Sequence, residues 1–275
     1  MTISQAARGI GSSGVRYRIK TMSVAAIILG AGQGTRMKSD LPKVLHAVCG
    51  RPMLAYVLEA CAAAGCGELI VVVGHQAESV RKTFATPPAG VRLTWVEQMP
   101  QLGTGHAVMI CRSHLERLSG PVLIVAGDGP LVRGATLKRL LDEHVRSGAA
   151  CTLATSILDD PGRYGRIIRD ERGELAGIVE YLDADEAQRQ IKEVNVSIYC
   201  FDAAALVGVL DRLTNDNAKG EYYLTDVLGL LAADGRKLSA VAAVPSEEVL
   251  SINTVEQLRQ VEAILARRPE RGVRC

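Results

Sequence analysis

Residues 24–37 have the sequence VAAIILGAGQGTRM, in which an apolar run of strand length is followed directly by three glycines in five residues. Glycine lacks a Cβ atom and readily adopts positive φ, so the backbone N–H groups of such a loop can crowd around an anion. The stretch therefore predicts a buried strand that leads into a loop binding a phosphate-bearing ligand. A glycine-rich turn that only packs against its neighbours is the alternative interpretation.

Two common phosphate-binding patterns do not fit this loop. The dinucleotide pattern GxGxxG fails because Thr35 occupies the position of its last glycine, and the P-loop pattern fails because no Gly-Lys-Ser/Thr follows. The loop indicates a phosphate ligand but does not decide which type of nucleotide-binding protein this is.

Apolar, strand-like runs alternate with amphipathic, helical segments along the chain. The predicted strands are 24–29, 69–74, 92–97, 121–126, 150–157, 165–169, 174–180, 194–201 and 238–244. The predicted helices are 53–64, 78–84, one after Gly103, one after Gly134, 203–213, 221–233 and 255–263. Continuously apolar strands such as 69–73 and 122–125 are typical of a parallel sheet covered by helices on both faces. The pattern predicts an α/β fold that becomes richer in strands after Asp159, with a hairpin turned by residues 170–173.

The composition is that of a globular protein. The chain has 32 Lys and Arg against 30 Asp and Glu, is 48% hydrophobic, and contains no apolar run near the ~20 residues that a membrane helix needs. The cysteines form no CxxC pair and several lie in apolar runs, which predicts reduced cysteines and a cytoplasmic protein. Few aromatic residues and scattered cations argue against a nucleic-acid partner.

Charge is distributed unevenly along the sequence. Residues 1–21 carry four cations and no acid, and residues 266–275 carry four cations and one acid. The remaining residues, 22–265, hold 24 cations and 29 acids, a net charge of −5. We therefore expect a flexible basic extension over 1–21, one folded domain over 22–265 and a basic tail over 266–275. An acidic domain must bind polyanions through local groups.

Two cations follow the glycine loop: Arg36 ends the motif GAGQGTR, and Lys43 ends LPK. A guanidinium fork and a mobile ammonium beside a phosphate-binding loop can neutralise a triphosphate and its transition state. Together the motifs resemble the signature of the sugar-1-phosphate nucleotidyltransferases, which join a nucleoside triphosphate to a sugar phosphate. The resemblance implies catalytic roles for Arg36 and Lys43. It also implies a Rossmann-like, GT-A-like fold: a mixed, mostly parallel sheet flanked by helices, with a β-rich sugar-binding part.

A segment with two glutamines, QMPQLGTGHA, occupies residues 98–107. Glutamine offers both a donor and an acceptor, which reading a nucleobase edge requires. The segment resembles the uracil-reading part of the N-acetylglucosamine-1-phosphate uridyltransferases, although Gly103 and Thr104 could also be a plain helix start. The resemblance implies that UTP contacts Leu29, Gly30, Ala31, Gly32, Gly34, Thr35, Gln98, Gln101, Gly103 and Thr104.

Asp128 follows an apolar strand at the carboxyl edge of the predicted sheet, where ligands bind in open α/β folds. Mg²⁺ takes one or two protein oxygens and fills its remaining positions with water and substrate phosphates. In the family that the motifs resemble, the second protein ligand is a late asparagine, which Asn253 matches. The resemblance implies Mg²⁺ as a cofactor held by Asp128 and Asn253. Asn253 could instead cap the helix that begins at 255.

Four segments in the second half match the sugar side of this family: YGRI at 164–167, IVE at 178–180, VN at 194–195 and NAKGEYYLTD at 217–226. By residue type alone they are ordinary loop and core residues. The resemblance implies a pocket for the sugar phosphate and ribose lined by Gly165, Glu180, Asn195, Tyr223 and Thr225.

Three positions depart from the family pattern. Ala126 stands where tyrosine is usual, Val196-Ser197 replace Thr-Gly, and Tyr181-Leu182 stand where a basic residue is common. The expected activity is Mg²⁺-assisted synthesis of UDP-N-acetylglucosamine and pyrophosphate from UTP and N-acetylglucosamine-1-phosphate. Because the departures affect substrate choice most, another nucleotide or sugar phosphate, or a non-catalytic binding protein, stays an alternative. Without hexapeptide repeats, acetyl transfer is not expected.

Overall fold

The computed structural model describes residues 24–32, 34–242 and 244–268. The expected extension over 1–21 and residues 269–275 of the expected tail lie outside the described residues, so those predictions stay untested. The strands are β1 (Val24–Leu29), β2 (Ala47–Val48), β3 (Arg51–Pro52), β4 (Cys66–Val73), β5 (Arg92–Glu97), β6 (Pro121–Ala126), β7 (Cys151–Ile157), β8 (Arg166–Arg169), β9 (Leu175–Val179), β10 (Glu193–Asp202) and β11 (Leu238–Ala242).

Ten α-helices occur among the described residues, together with short 3₁₀ turns at Thr35–Met37, Lys43–Leu45 and Leu210–Arg212. The helices are α1 (Met53–Ala63), α2 (Ala77–Thr83), α3 (Thr104–Met109), α4 (Arg112–Leu115), α5 (Gly134–Ser147), α6 (Glu186–Arg189), α7 (Ala203–Val209), α8 (Asp226–Ala233), α9 (Ser246–Val249) and α10 (Val255–Ala266).

The centre of the molecule is a nine-stranded mixed sheet with the main order β11-β7-β10-β6-β1-β4-β5, to which β8 and β9 attach beside β10. Strand β1 runs parallel to both neighbours, and its Ile27 pairs with Ile70 of β4 and Ile124 of β6. Strand β10 is antiparallel to β6 and β7. The prediction of an α/β fold with a mostly parallel central sheet is confirmed.

The two faces of β1 enter two different hydrophobic cores. Ala26 and Ile28 pack in one buried cluster, and Ala25 and Ile27 pack in the other. Successive side chains of a strand point to opposite faces, so an apolar residue at every position requires a cover on both sides. Helices supply that cover, which is why the sequence of β1 does not alternate.

The chain crosses from β1 to β4 on one side and reaches β6 on the other, which makes the carboxyl end of β1 a topological switch point. The loops after β1 and β6 converge there: Gly127 N–H donates to Leu29 O at 2.9 Å, and Gly30 N–H donates to Val72 O at 2.8 Å. A Cβ atom on Gly127 would lie 3.0 Å from Leu29 O, so a larger residue would push the loops apart. Ligands of open α/β sheets bind at such a point.

The largest difference from the predicted elements concerns the helix expected to begin at Glu221, because α8 begins only at Asp226. Tyr222 donates its N–H to Leu102 O at 2.8 Å and accepts from Gly105 N–H at 2.7 Å. These bonds to another segment occupy the backbone groups that a helix would need. The predicted hairpin at 170–173 is confirmed, since β8 and β9 pair antiparallel on either side of it.

Five cysteines are buried and free: Cys61, Cys66, Cys111, Cys151 and Cys200. Burial raises the pKa of the Cys66 and Cys111 thiols to about 12. Cys49 takes part in a disulfide, so the expectation of reduced cysteines is wrong at this position. None of the described helices has the length and apolar character to cross a membrane.

Candidate active site

A cavity of about 1050 Å³ opens at the carboxyl ends of β1 and β6. Most of the residues expected to bind nucleotide, metal or sugar lie in its wall. They are Leu29, Gly30, Ala31, Gly32, Arg36, Lys43, Gln98, Gln101, Gly103, Thr104, Asp128, Glu180, Tyr223 and Asn253. The fold thus brings the glycine loop together with motifs that lie far from it in the sequence.

A cluster of opposite charges stands at the switch point. Lys43 Nζ forms an ion pair with the Asp128 carboxylate and donates to Asn253 Oδ1 at 2.8 Å. Arg36 also donates to Asn253 Oδ1, at 2.8 Å. Ile252 N–H donates to Asp128 O at 3.0 Å, which fixes the segment carrying Asn253 against the loop after β6.

Asn253 is not the cap of α10. The N-cap is Thr254, whose side chain accepts from Gln257 N–H at 3.2 Å. The alternative interpretation of Asn253 as a helix cap is therefore wrong, and its amide oxygen takes part in the charged cluster instead.

Asp128 and Asn253 fit a magnesium ion by the chemistry of their donors. A carboxylate oxygen and an amide oxygen, both hard ligands, converge on one cation, the Lys43 ammonium. Mg²⁺ needs only one or two protein oxygens besides water and phosphate. Among the described residues, no group of three or more His, Cys, Asp or Glu side chains could hold a metal ion. The described residues therefore contain no metal site made mainly of protein ligands of these types.

Gly34 and Thr35 do not line the cavity. Gly34 has φ +65°, and a Cβ atom there would lie 2.7 Å from Lys43 Cβ. Glycine at this position therefore lets the loop pack directly on the Lys43 side chain. Thr35 is exposed and starts a 3₁₀ turn that ends at Met37. Both residues support the cations and do not form the wall.

The two glutamines are held by the backbone around them. Gln98 is only 3% exposed and donates to Gly103 O at 2.9 Å. Gln101 donates to Ala31 O in the glycine loop, which links the two motifs expected to bind nucleotide. Thr104 Oγ1 accepts from Leu224 N–H at 3.1 Å, fastening the same segment to the second half of the chain.

Replacing Gly103 by alanine should destabilise the fold by about 1–3 kcal/mol. Gly103 has φ +107°, and its added Cβ would lie 2.6 Å from Tyr222 O. The matched control is Gly208→Ala, because Gly208 is exposed in α7 and a Cβ there meets nothing within 4 Å. That change should stabilise by about 0.5–1 kcal/mol. Urea unfolding of both variants measures the effects, and equal stabilities would contradict the prediction.

Glu180 is an acid in the cavity wall, at a position that the sequence predicted to bind the sugar. Burial raises the pKa of its carboxyl, and two groups act against that shift: Thr225 Oγ1, which donates to Oε1 at 3.2 Å, and the nearby Lys219. A Cβ atom on Gly165 would lie 3.4 and 3.5 Å from the two carboxylate oxygens. Asn195 N–H donates to Gly165 O at 2.9 Å.

Three residues expected in the sugar pocket therefore lie behind its wall: Gly165, Asn195 and Thr225 do not line the cavity. Asn195 is 4% exposed and its amide donates to Tyr199 Oη at 2.6 Å. In this structure these residues hold Glu180 and its strand in place.

The Glu180→Gln variant should be more stable than the parent protein at pH 7. The folded-state pKa of Glu180 is raised above its unfolded value, so ionisation in the folded state weakens stability as the pH rises through this interval. The advantage of glutamine should shrink as the pH falls below the raised pKa, where Glu180 is neutral. Urea unfolding between pH 4 and 8 checks this, with Glu171→Gln as an exposed control. An advantage that grows on acidification would contradict it.

Several lining residues were not among the predicted site residues: Arg163, Tyr164, Tyr181, Leu182, Ser197, Lys219, Glu221, Ser251 and Gln257. Part of the signal was in the sequence, because Ala126, Leu182 and Ser197, all departures from the family pattern, share this wall. Ser197 has φ +56°, a left-handed conformation that favours glycine. Backbone strain of this kind clusters at functional sites.

Comparison with known proteins places the chain among nucleotidyltransferases. A model of the MobA-like NTP transferase domain matches residues 26–194. Bifunctional protein GlmU of Heliobacterium modesticaldum is 47% identical over 246 residues, which cover 90% of this chain and 53% of that protein. GlmU of Trichlorobacter lovleyi is 48% identical over 244 residues, which cover 89% of this chain and 52% of that protein. The chain spans about half the length of these relatives.

Solved structures share the fold at low sequence identity. A structure of UDP-glucose pyrophosphorylase complexed with UDP-glucose superposes with a TM-score of 0.74 and 18% sequence identity. The superposition covers 90% of this chain and 100% of that chain. An apo structure of UDP-glucose pyrophosphorylase superposes with a TM-score of 0.71 and 16% sequence identity. The superposition covers 89% of this chain and 98% of that chain. The likeness is one of architecture, a Rossmann-like sheet flanked by helices.

Proposed function

Because this chain belongs to the family of MobA-like NTP transferase domains, we propose that it is a sugar-1-phosphate uridylyltransferase. Its reaction would convert UTP and N-acetylglucosamine-1-phosphate into UDP-N-acetylglucosamine and pyrophosphate. One observation carries the proposal: Arg36 and Asn253, 217 positions apart, meet in one hydrogen-bonded cluster with Lys43 and Asp128, beside the glycine loop. That arrangement gathers the groups that phosphate transfer needs.

The reaction joins two anions without a side-chain nucleophile. An oxygen of the sugar phosphate attacks the α-phosphorus of UTP, and a new P–O bond forms while the bond to the bridging oxygen breaks. The electron pair of the broken bond leaves with pyrophosphate. The acceptor phosphate is already ionised, so the protein has to align the reactants and stabilise the developing charge.

Different residues of the charged cluster would bind different phosphates and the metal ion. The backbone N–H groups of Ala31 and Gly32 and the Arg36 guanidinium would bind the β- and γ-phosphates, and Lys43 the α-phosphate. Asp128 and Asn253 would hold Mg²⁺, which when bound acts as a Lewis acid that neutralises phosphate charge. Lys43 is bonded to both of those oxygens, so its ammonium leaves them as it takes the α-phosphate.

The glutamine segment would select the base. Gln98 and Gln101 have their amide groups fixed by Gly103 O and Ala31 O, so their orientation is set before a ligand arrives. Fixed donors and acceptors discriminate bases better than mobile ones, because less order is lost on binding. UTP is therefore proposed as the nucleotide.

Pyrophosphate release tests the proposal. UTP with N-acetylglucosamine-1-phosphate should give a higher kcat/KM than UTP with glucose-1-phosphate, or than TTP, CTP or GTP with either sugar. Chelation by EDTA should stop the release, and added Mg²⁺ should restore it. Preference for another pair would assign the chain to a different pyrophosphorylase. Tight binding of a UDP-sugar without pyrophosphate exchange would instead identify a non-catalytic binding protein.

A further inference from the structure

Four cations line the cavity, and the charged groups of two of them, Arg163 and Lys219, form no hydrogen bond or ion pair with any residue that the structure describes. Arg36 and Lys43 both donate to Asn253, and Lys219 is close enough to Glu180 to lower the pKa of that carboxyl. Arg163 is exposed and forms no hydrogen bond or ion pair with any residue that the structure describes. No acid among the described residues therefore neutralises its charge.

The backbone that carries Arg163 is nevertheless held firmly. Arg166 is 1% exposed, and its guanidinium donates to Gly162 O at 2.8 Å, to Arg189 O at 3.2 Å and to Tyr164 O. The carbonyls on both sides of Arg163 are thus fixed by a buried cation. A loop tied in this way presents its side chain from a defined position.

The Arg163 side chain stacks on an aromatic ring that also lines the cavity. Its guanidinium carbon lies 5.5 Å from the centroid of the Tyr181 ring, and those of Arg166 and Arg189 lie at 5.7 and 5.1 Å. These distances are within the ~6 Å range of a cation–π contact. Stacking orients a guanidinium and leaves its N–H groups free to donate to an anion.

The loop also lines the cavity that holds the charged cluster, because Arg163 and Tyr164 share its wall with Arg36, Lys43 and Asp128. Tyr164 donates to Val249 O at 3.1 Å, which holds the loop on that side. Arg163 therefore lies in the wall of the cavity where phosphate transfer is proposed, together with Glu180 and Tyr181.

We propose that Arg163 binds the phosphate of the sugar-1-phosphate acceptor and positions it for attack. The inference depends on the proposed function, because it assigns a ligand to the same cavity. An acceptor phosphate must approach a triphosphate of like charge, and a guanidinium fork that has no carboxylate partner offsets that repulsion with paired hydrogen bonds.

Steady-state kinetics of Arg163→Gln, Arg163→Lys and Arg189→Ala test the assignment. Arg189 is the matched control because it stacks on the same ring but does not line the cavity. In Arg163→Gln the KM for N-acetylglucosamine-1-phosphate should rise about tenfold or more, as expected for a lost charged hydrogen bond. The KM for UTP should stay within about twofold, since only ground-state binding of the acceptor is weakened. The KM of Arg163→Lys for the sugar phosphate should lie between the values of the parent protein and Arg163→Gln. Both KM values of Arg189→Ala should match those of the parent protein.

Three results would overturn the inference: an unchanged KM for the sugar phosphate, a rise in the KM for UTP instead, or an equal effect in Arg189→Ala. If the parent protein releases no pyrophosphate, the proposed function fails separately. Calorimetric titration of N-acetylglucosamine-1-phosphate into the parent protein and Arg163→Gln then decides. Weaker binding to the variant supports the assignment, and equal or undetectable binding to both overturns it. Circular dichroism melting curves show that each variant is folded.

Discussion

Alanine in place of Asp128 is expected to lower kcat for pyrophosphate release by about three powers of ten. The change removes the carboxylate that neutralises Lys43 and the proposed charged ligand of Mg²⁺. Lys43 Nζ would keep only Asn253 Oδ1 as a partner and would no longer be balanced by an acid. Steady-state release with saturating UTP and N-acetylglucosamine-1-phosphate measures the loss.

Two further variants separate chemistry from folding. Asp128→Asn keeps the size of the side chain and removes its charge, and it should lose almost as much activity as the alanine variant. Asp142→Ala removes an exposed acid paired with Lys138 on α5 and should leave kcat unchanged. Turnover of Asp128→Ala near that of the parent protein, in a folded variant, would remove Asp128 from the site.

Alanine in place of Lys43 is expected to lower kcat by about 10²–10³-fold, since it removes a cation aimed at charge that grows in the transition state. Lys43→Arg should not restore the rate, because a guanidinium fork cannot replace a compact ammonium bonded to two oxygens at once. Lys138→Ala is the matched exposed control. A kcat of Lys43→Ala within a few-fold of the parent value would contradict the assigned role.

The double variant Asp128→Ala/Lys43→Ala adds a sharper test. Groups that act as a unit have strongly non-additive effects, so the pair should lose little more than the worse single variant. Losses that multiply would mean that the two side chains act independently, despite their ion pair.

Three strands of the main sheet could be predicted from sequence with accuracy. The bounds of β1, β5 and β6 agree with the predicted 24–29, 92–97 and 121–126. Their apolar or alternating runs are bounded by glycine, proline or polar residues, so both type and length were encoded locally. The family suggested by the motifs is also confirmed by the matched domain model over residues 26–194.

The helix predicted from Glu221 failed for a non-local reason. Residues 221–225 have no breaker at their start, yet Tyr222 pairs its backbone with residues 102 and 105. Those partners lie more than a hundred positions earlier in the sequence, so the pattern around Tyr222 does not predict these hydrogen bonds. The 3₁₀ turns and the short helices α4 and α6 were likewise not predicted, because a few residues provide too little periodicity.

The residues of the candidate site were also predicted only in part. Residues in the loops that follow β1 and β6, such as Arg36 and Asp128, were expected in the cavity and lie there. The cavity is not lined by Gly165, Asn195 and Thr225, which lie behind its wall. The order of motifs indicates which residues are close to a site, but it does not show which of them face the cavity. Arg163 gave no signal as a lone surface cation, and only the packing of Arg166 and Tyr181 around it distinguishes it.

The hydrogen bond from Lys43 to Asn253 spans 210 positions of the chain, and this separation has a consequence for protein synthesis. A nascent chain emerges from the ribosome with its N-terminal part first. The glycine loop and the strands β1, β4 and β6 can associate while the ribosome is still adding the later helices. Asn253 can join them only after the 209 residues that separate it from Lys43 have been added, so these strands can pair before the charged cluster is complete. The proposed transfer activity therefore requires a residue that is synthesised well after the glycine loop.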